Sequence, residues 1–200
     1  MRRWKRSEHL DINQLKERPI LFSAPMVRAI LDGRKSQTRR AMKHQPGQVT
    51  GSGRPVFYEH GTHGRRVSPS CPYGKAGDRL WVRETWLNHA LPGYPPVYFY
   101  RADDENKPAD RSWKPSIHMP RQASRIALDI TNVRMERLQA ITRMDAEAEG
   151  FQKIPGLPID PRDWFRSLWQ TINGPGSWQQ NPWVWVVEFN VLSTSDQATL

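Results

Sequence analysis

The sequence predicts a mainly β fold with peripheral helices, an α+β domain whose core is a small mixed or antiparallel barrel. Short segments with the apolar patterns of strands outnumber segments with helical spacing by about two to one. Helical crossovers are therefore too few for a parallel sheet. The 17 prolines and 13 glycines among 200 residues add turns and argue against a helical bundle.

The first predicted elements follow a basic, flexible arm over residues 1–18. An apolar run at 20–22 suits a short strand. Ser23 then has the residue type of a helix N-cap, with Pro25 in the first turn. Gly33 is the expected end of this helix. Three further strands are predicted at 55–58, 80–84 and 97–101, within or beside insertions at about 41–72 and 87–125.

The second half of the chain is predicted to contain strands and two helices. A strand is expected at 124–131 and is extended by 134–138. Thr142 with Asp145 fits a capping box, which would begin a short helix that ends at Gly150. The remaining elements are a helix over about 160–172, a closing strand over 182–191 and a flexible tail over 192–200. Residues 19–191 are predicted to form one domain.

The net charge is the strongest bulk signal. Thirty Lys and Arg against 20 Asp and Glu give +10 and a pI near 10.2, which favours a polyanionic partner. We therefore expect a nucleoside, RNA or modified DNA as the partner. The alternative is that much of the excess charge belongs to a basic tail such as residues 1–6.

Several sequence features indicate in which cellular compartment the protein is expected. No apolar run approaches ~18 residues, so we expect no membrane contact. A single cysteine excludes an internal disulfide, and no hydrophobic segment follows the basic N-terminus. We expect a cytoplasmic protein, of a cell or of an infected host cell, and favour a monomer.

The sequence predicts neither a metal nor a cofactor. His60, His63 and Cys71 are the candidate ligands, but their spacing matches no zinc pattern and a fourth ligand is missing. The chain also lacks a P-loop and a dinucleotide-binding fingerprint. Nucleotide-dependent chemistry is therefore disfavoured.

Three segments carry a resemblance to a known family. Residues 30–40 read ILDGRKSQTRR, residues 77–84 read GDRLWVRE, and residues 138–150 read LQAITRMDAEAEG. In this order they resemble the motifs G-x-K-T-x-T-x-R, G-D-x-L-x-V-x-E and L-x-x-I-T-x-x-D-A-x-x-E-G of the ASCH family, a branch of the PUA-like barrels. The resemblance extends over about 19–191, and the chain also looks like phage-encoded proteins of this group. It implies a small PUA-like barrel with insertions.

The resemblance also implies a nucleoside- or RNA-directed activity. The family includes small amidohydrolases that remove the acetyl group from N4-acetylcytidine, and other members bind or cleave RNA. In the amidohydrolases a motif lysine acts as the base, a threonine as the nucleophile and a later glutamate as the proton donor. By motif position these roles fall on Lys35, Thr38 and Glu149. The alternatives are a non-catalytic module that binds RNA or a modified base, and a ribonuclease.

These residue types suit amide hydrolysis. A hydroxyl nucleophile needs a base, and Lys35 can serve only when neutral, so its pKa must fall by several units from about 10.4. Burial in a cleft and the charges of Arg34, Arg39 and Arg40 both act in that direction. Each residue also has an ordinary interpretation, as a loop side chain, a phosphate-binding lysine or a solvated glutamate.

A second set of residues is expected to contact the substrate or a nucleic acid. Trp81 and Trp86 flank Arg83 and Glu84; the rings suit base stacking, and Glu84 suits a hydrogen bond from an exocyclic amine. The alternative is that both tryptophans belong to the core. The predicted binding residues are Arg39, Arg40, Trp81, Arg83, Glu84, Trp86, Lys114, His118, Arg121 and Arg125.

Overall fold

The computed structural model describes residues 15–58, 66–90, 92–103 and 112–194. Its strands are β1 (Glu17–Leu21), β2 (Gln37–Ala41), β3 (Gln48–Val49), β4 (Pro55–Tyr58), β5 (Arg66–Val67), β6 (Arg79–Arg83), β7 (Trp86–His89), β8 (Val97–Tyr100), β9 (Ile126–Arg137) and β10 (Trp183–Thr194). Its α-helices are α1 (Ala24–Leu31), α2 (Arg143–Ala148) and α3 (Pro161–Asn173). None of these helices is long and apolar enough to span a lipid bilayer. The predicted class, mainly β with peripheral helices, is confirmed.

Five strands form the main sheet, in the order β1–β6–β9–β10–β2. β1 and β6 are parallel, and the other pairings are antiparallel. In the part of the chain described, β1 and β2 do not pair with each other, so the predicted small barrel is an open sheet on this side. A side chain bridges the two strands instead, because Arg40 Nη2 donates to the carbonyl oxygen of Leu21 at 2.6 Å. The connection between β1 and β2 is α1, which buries Val27 and Ile30 in the core, so a helix replaces a closing ladder on this side.

The two faces of the sheet bury different clusters. Val187 and Phe189 of β10 enter a cluster shared with α1, β1, β6 and β9. Val184 and Val186 enter a second cluster with Phe165 and Trp169 of α3. β10 is therefore apolar on both faces because both faces are buried.

The helices begin where the sequence predicts. Ser23 precedes α1 and Pro25 lies in its first turn. Thr142 and Asp145 form the predicted capping box at the start of α2. The side chain of Asp160 accepts a hydrogen bond from the backbone of α3, at 2.8 Å. Local side-chain to backbone hydrogen bonds therefore determine two of these starts.

Several strand boundaries differ from the predictions. β1 begins at Glu17, inside the predicted arm, and β10 continues to Thr194, inside the predicted tail. β9 is one strand of 12 residues where two pieces were expected. β2 was not predicted because its residues, QTRRA, lack an apolar pattern. Residues 1–14 and 195–200, which make up most of the predicted arm and tail, lie outside the described residues.

The two insertions form small additions to the main sheet. β3, β4 and β5 make one antiparallel sheet, and β7 and β8 make a hairpin. Of the residues considered for zinc, His60 and His63 lie outside the described residues, and Cys71 packs half-buried against the core. The hairpin is attached to the main sheet through Arg125, whose guanidinium donates to the carboxylates of Glu84 and Asp103 at 2.8–3.2 Å.

Candidate active site

Lys35 lies in the turn between α1 and β2. The backbone N–H groups of Arg34 and Lys35 both donate to the carbonyl oxygen of Ala29, at 2.9 Å. Lys35 then forms an isolated antiparallel bridge with Glu149. The backbone therefore brings together two residues that are 114 positions apart in the sequence.

Gly150 makes this approach possible. It follows α2 with a φ of +107°, a conformation that residues with a side chain rarely adopt. A Cβ at this position would lie 2.9 Å from the Cβ of Ala29 and 3.3 Å from the Cβ of Lys35. A glycine here lets the end of α2 lie directly against the end of α1, which holds Glu149 beside Lys35.

The side chain of Lys35 is completely buried. Its Nζ donates to Glu149 Oε2 at 2.8 Å, to the carbonyl oxygen of Glu149 at 2.9 Å and to the carbonyl oxygen of Gln37 at 2.8 Å. Burial lowers the pKa of Lys35 because it penalises the charged amine, and the carboxylate of Glu149 opposes this effect. The charges of Arg40 and Arg39 act in the same direction as burial. The lowered pKa that a lysine base requires therefore has a physical cause in the structure.

Glu149 joins Lys35 to a network of ion pairs. Its Oε1 lies 3.3 Å from Arg39 Nη1, while its Oε2 contacts Lys35. Arg39 is buried and also contacts Glu136 at 2.6 Å and Asp145 at 3.3 Å. The guanidinium of Arg39, a predicted substrate contact, is thus surrounded by three protein carboxylates. The network as a whole contains Lys35, Arg39 and Arg134 as cations and Glu136, Asp145, Glu149 and Glu188 as anions.

A cavity of about 60 Å³ lies beside this network. It is lined by β2, by Met26 of α1 and by α3, so it follows the free edge of the main sheet. Its lining includes the polar residues Thr38, Arg39, Arg40 and Glu149 and the apolar residues Met26, Phe165, Leu168, Trp169 and Ile172. Small-molecule sites usually enclose about 300–1,000 Å³. The cavity has room for an acyl amide group and not for a whole nucleoside.

Thr38 lies on β2 and is part of this lining. In the antiparallel pairing of β2 with β10, Thr38 lies opposite Val187 and Arg40 lies opposite Trp185. Because side chains alternate along a strand, Thr38 and Arg40 share one face of β2, and Arg39 lies on the other. Thr38 is buried, so a reaction at its hydroxyl would take place away from bulk water.

Comparison with known proteins shows a likeness in fold. No protein-family model matches the chain, and no curated protein matches it. An ASCH domain of known structure from Lactobacillus crispatus JV V101 aligns with 89% of this chain and 80% of its own, at 11% identity and a TM-score of 0.43. The chain is similar in fold to an ASCH domain. A DUF984 family protein from Enterococcus faecalis V583 aligns with 93% of this chain and 86% of its own, also at 11% identity and a TM-score of 0.43.

Part of the predicted binding set lies on β6, outside the cavity lining. Trp81 and Arg83 alternate with the core residues of this strand, and the guanidinium of Arg83 is 4.7 Å from the Trp81 ring. Arg121 also approaches that ring, at 5.9 Å, and pairs with Glu17 at 2.8 Å. Trp81 is only 8% exposed, so two arginines cover the ring that was expected to stack on a base.

The remaining predicted contacts lie near the β7–β8 hairpin. Glu84 is buried; burial raises its pKa, and its partner Arg125 opposes that shift. Trp86 is buried, with Lys114 Nζ 4.9 Å from its ring. His118 is exposed, in a single helical turn. The structure therefore gathers only Lys35, Thr38, Arg39, Arg40 and Glu149 of the named site residues at one centre, within the part of the chain described.

Sequence reasoning missed several residues of this centre. Gln37 accepts a hydrogen bond from Arg39 and donates to Asp145 at 3.1 Å. Asp145 was identified only as part of a capping box and Trp169 only as a residue of the predicted helix over about 160–172. One signal was present: from Gln37 to Arg40 the polar residues could alternate between two faces of a strand. That alternation places Gln37 and Arg39 on the face of β2 opposite to Thr38 and Arg40.

Proposed function

We propose that the protein hydrolyses an acylated nucleobase amine of the N4-acetylcytidine type, with Thr38 as nucleophile, Lys35 as base and Glu149 as proton donor. One observation carries this proposal. A fully buried lysine amine lies 2.8 Å from a buried carboxylate, and that carboxylate and a threonine line the same cavity. Burying such a pair costs several kcal/mol per charge before pairing offsets it, and pairs of this kind are concentrated at active sites.

The hydrogen bond between Lys35 and Glu149 can supply both the base and the acid. Movement of one proton from Nζ to Oε2 converts the ion pair into a neutral amine and a carboxylic acid. Burial lowers the pKa of Lys35 and so favours its neutral amine, with the carboxylate of Glu149 acting in the opposite direction.

The acylation step begins from the neutral pair. Thr38 Oγ attacks the acyl carbon while the amine of Lys35 takes the hydroxyl proton. The C–N bond then breaks as the carboxylic acid of Glu149 protonates the departing nitrogen. This step leaves an acyl ester on Thr38, releases the free nucleobase amine and restores the ion pair.

Deacylation uses the same two groups with water as the nucleophile. After a second proton transfer from Lys35 to Glu149, the neutral amine takes a proton from water as its oxygen attacks the ester carbon. The ester C–O bond breaks, and Glu149 returns a proton to Thr38 Oγ. The product is a carboxylic acid, and the ion pair is again restored.

The size of the cavity supports a short acyl group as the part of the substrate that enters. The volume of about 60 Å³ fits an acetamide-like fragment, so the base would remain at the mouth beside the apolar residues of α3. Ile172 lines this region and is 55% exposed. We therefore expect hydrolysis to become slower as the acyl chain is lengthened from acetyl to butyryl.

Hydrolysis of N4-acetylcytidine by the purified protein, followed by chromatographic separation of cytidine, tests the proposal. Thr38→Val keeps the side-chain shape and removes the hydroxyl, so turnover should fall at least about 1,000-fold. Thr38→Ser is the matched control, because it keeps a hydroxyl and should retain measurable turnover. The proposal fails if the wild-type protein leaves N4-acetylcytidine intact, or if Thr38→Val turns it over at the wild-type rate.

A second candidate function is RNA binding without turnover, which the net charge of +10 favours. Binding through phosphates should weaken steeply as salt is raised from about 50 to 200 mM. Fluorescence anisotropy with a labelled RNA oligonucleotide measures this dependence. Salt-sensitive binding together with intact N4-acetylcytidine would favour this second function over the first.

A further inference from the structure

Arg40 lines the cavity with a guanidinium whose hydrogen-bonding capacity is mostly unused. Arginine has five N–H donors. In the part of the chain described, the Arg40 side chain makes one hydrogen bond, from Nη2 to the carbonyl oxygen of Leu21 at 2.6 Å. Its Nε is buried and has no partner. The Nε atoms of Arg79 and Arg83 are also buried without a partner, but of these three arginines only Arg40 lines the cavity, where an acceptor from outside the chain can reach it.

The unpartnered atom of Arg40 is a donor, so the group that satisfies it must be an acceptor, such as a carbonyl oxygen or an oxyanion. Trp169 Nε1 is also buried without a partner, but Trp169 packs with Val184 and Val186 on the face of the sheet opposite to Arg40. An acceptor for Arg40 must therefore lie on the face of β2 that carries Thr38.

The position of Arg40 relative to Thr38 identifies which acceptor this is. The two residues are separated by one position on the same face of β2, so their side chains leave the strand about 7 Å apart. An acyl group attacked at its carbon by Thr38 Oγ would lie on the face of β2 that Arg40 shares, within the length of an arginine side chain. The guanidinium is also held in place before substrate arrives, by the carbonyl oxygen of Leu21 and by the ring of Phe22, 5.2 Å from its centre.

We infer that Arg40 binds the acyl oxygen of the substrate and stabilises the negative charge that develops on it when Thr38 attacks, an inference that rests on the proposed function. A donor fixed in advance at the point where charge develops lowers the barrier of acyl transfer more than it strengthens substrate binding. The same positive charge also lowers the pKa of Lys35, which favours the neutral base. Arg40 thus acts on both the electrophile and the base.

Arg40→Gln and Arg40→Lys test this role, with Arg137→Gln as a matched control. Arg137 also donates to a backbone carbonyl oxygen, that of Asn181 at 3.0 Å, and also stacks on an aromatic ring, that of Trp183 at 5.0 Å, but it does not line the cavity. We expect Arg40→Gln to lower kcat on N4-acetylcytidine about 100-fold with little change in KM. Arg40→Lys should recover part of the loss because it restores a cationic donor. Arg137→Gln should keep the wild-type kcat, and thermal unfolding of all variants shows whether they are folded.

A second measurement separates this inference from the proposed function. Trifluoroacetate is a small oxyanion that serves as a probe of the cavity, and its binding is measured by ¹⁹F NMR line broadening without any turnover. Loss of trifluoroacetate binding in Arg40→Gln and its retention in Arg137→Gln would support Arg40 as the oxygen-binding residue even if N4-acetylcytidine is not hydrolysed. A kcat of Arg40→Gln within about threefold of wild type would overturn the inference while leaving the proposed function in place. A wild-type protein that neither hydrolyses N4-acetylcytidine nor binds trifluoroacetate would overturn both.

Discussion

Substitution of Gly150 by alanine tests whether the contact between the ends of α1 and α2 builds the site. Two costs add in this variant. An alanine at a positive φ is strained by about 1–2 kcal/mol. The new Cβ would also lie 2.9 Å from the Cβ of Ala29 and 3.3 Å from that of Lys35, and overpacking of this kind costs about 1–3 kcal/mol. We expect the free energy of unfolding to fall by about 2–5 kcal/mol in total.

Gly33 provides a matched control for the backbone cost. It occupies the same position after α1 that Gly150 occupies after α2, and its φ is +70°. A Cβ at Gly33 would meet nothing within 4 Å. Gly33→Ala should therefore lower the free energy of unfolding only by the backbone cost of about 1–2 kcal/mol. Urea unfolding measures both variants, and an unchanged m-value shows that the comparison concerns stability alone.

The double variant Ala29→Gly/Gly150→Ala isolates the steric contact. Ala29→Gly alone should cost about 1 kcal/mol because glycine weakens a helix interior. In that background the closer of the two contacts is gone and the 3.3 Å contact with Lys35 Cβ remains, so the additional cost of Gly150→Ala should fall towards that of Gly33→Ala without reaching it. The reasoning is refuted if Gly150→Ala is no more destabilising than Gly33→Ala, or if removal of the Ala29 methyl group leaves its cost unchanged.

Two further predictions concern the buried charges. Lys35→Met leaves Glu149 buried beside one remaining cation, and urea unfolding should show that the free energy of unfolding falls by about 3–5 kcal/mol. The double variant Lys35→Met/Glu149→Leu should lose less stability, because it leaves no uncompensated carboxylate. An equal or larger loss in the double variant would contradict this account. Partial burial acts to raise the pKa of Asp145, but hydrogen bonds from Thr142 and Gln37 and the charge of Arg39 outweigh it and hold the pKa well below its usual range. A folded-state pKa below the unfolded value of about 3.9 stabilises the protein above that pH, and this contribution is lost as the pH falls. Asp145→Asn should therefore flatten the acid-side fall of the unfolding free energy, and equal slopes in both proteins would show that Asp145 is not its source.

Features encoded by neighbouring residues could be predicted from the sequence. The capping box of Thr142 and Asp145 and the helix start at Ser23 depend on groups within one turn of each other. In the predicted strand over 80–84, Leu80 and Val82 alternate with Trp81, and the first two are the side chains of β6 that enter the core cluster. In each case the interaction that decides the structure lies within a few residues, so the pattern is readable without the fold.

The sheet edge and the environment of the site could not be predicted in this way. β2 has no apolar pattern. Carboxylates from other parts of the chain, including β9, α2 and β10, contact its polar side chains, and these contacts take the place of burial in a hydrophobic cluster. The resemblance to ASCH motifs named Lys35, Thr38 and Glu149, yet it did not indicate how the two charged side chains would be paired. Nor did it show that the sheet would stay open, with Arg40 bridging to Leu21.

Arg39 and Arg40 show where the boundary lies between sequence and tertiary structure. The sequence determined that two adjacent arginines follow a helix that ends at Gly33, and that a strand at this point would turn them to opposite faces. Only the tertiary structure decided that Arg39 meets three carboxylates while Arg40 meets a cavity and one carbonyl oxygen. The physical reason is that an arginine's role depends on the acceptors around it, and here most of those acceptors come from segments about 100 positions away in the chain.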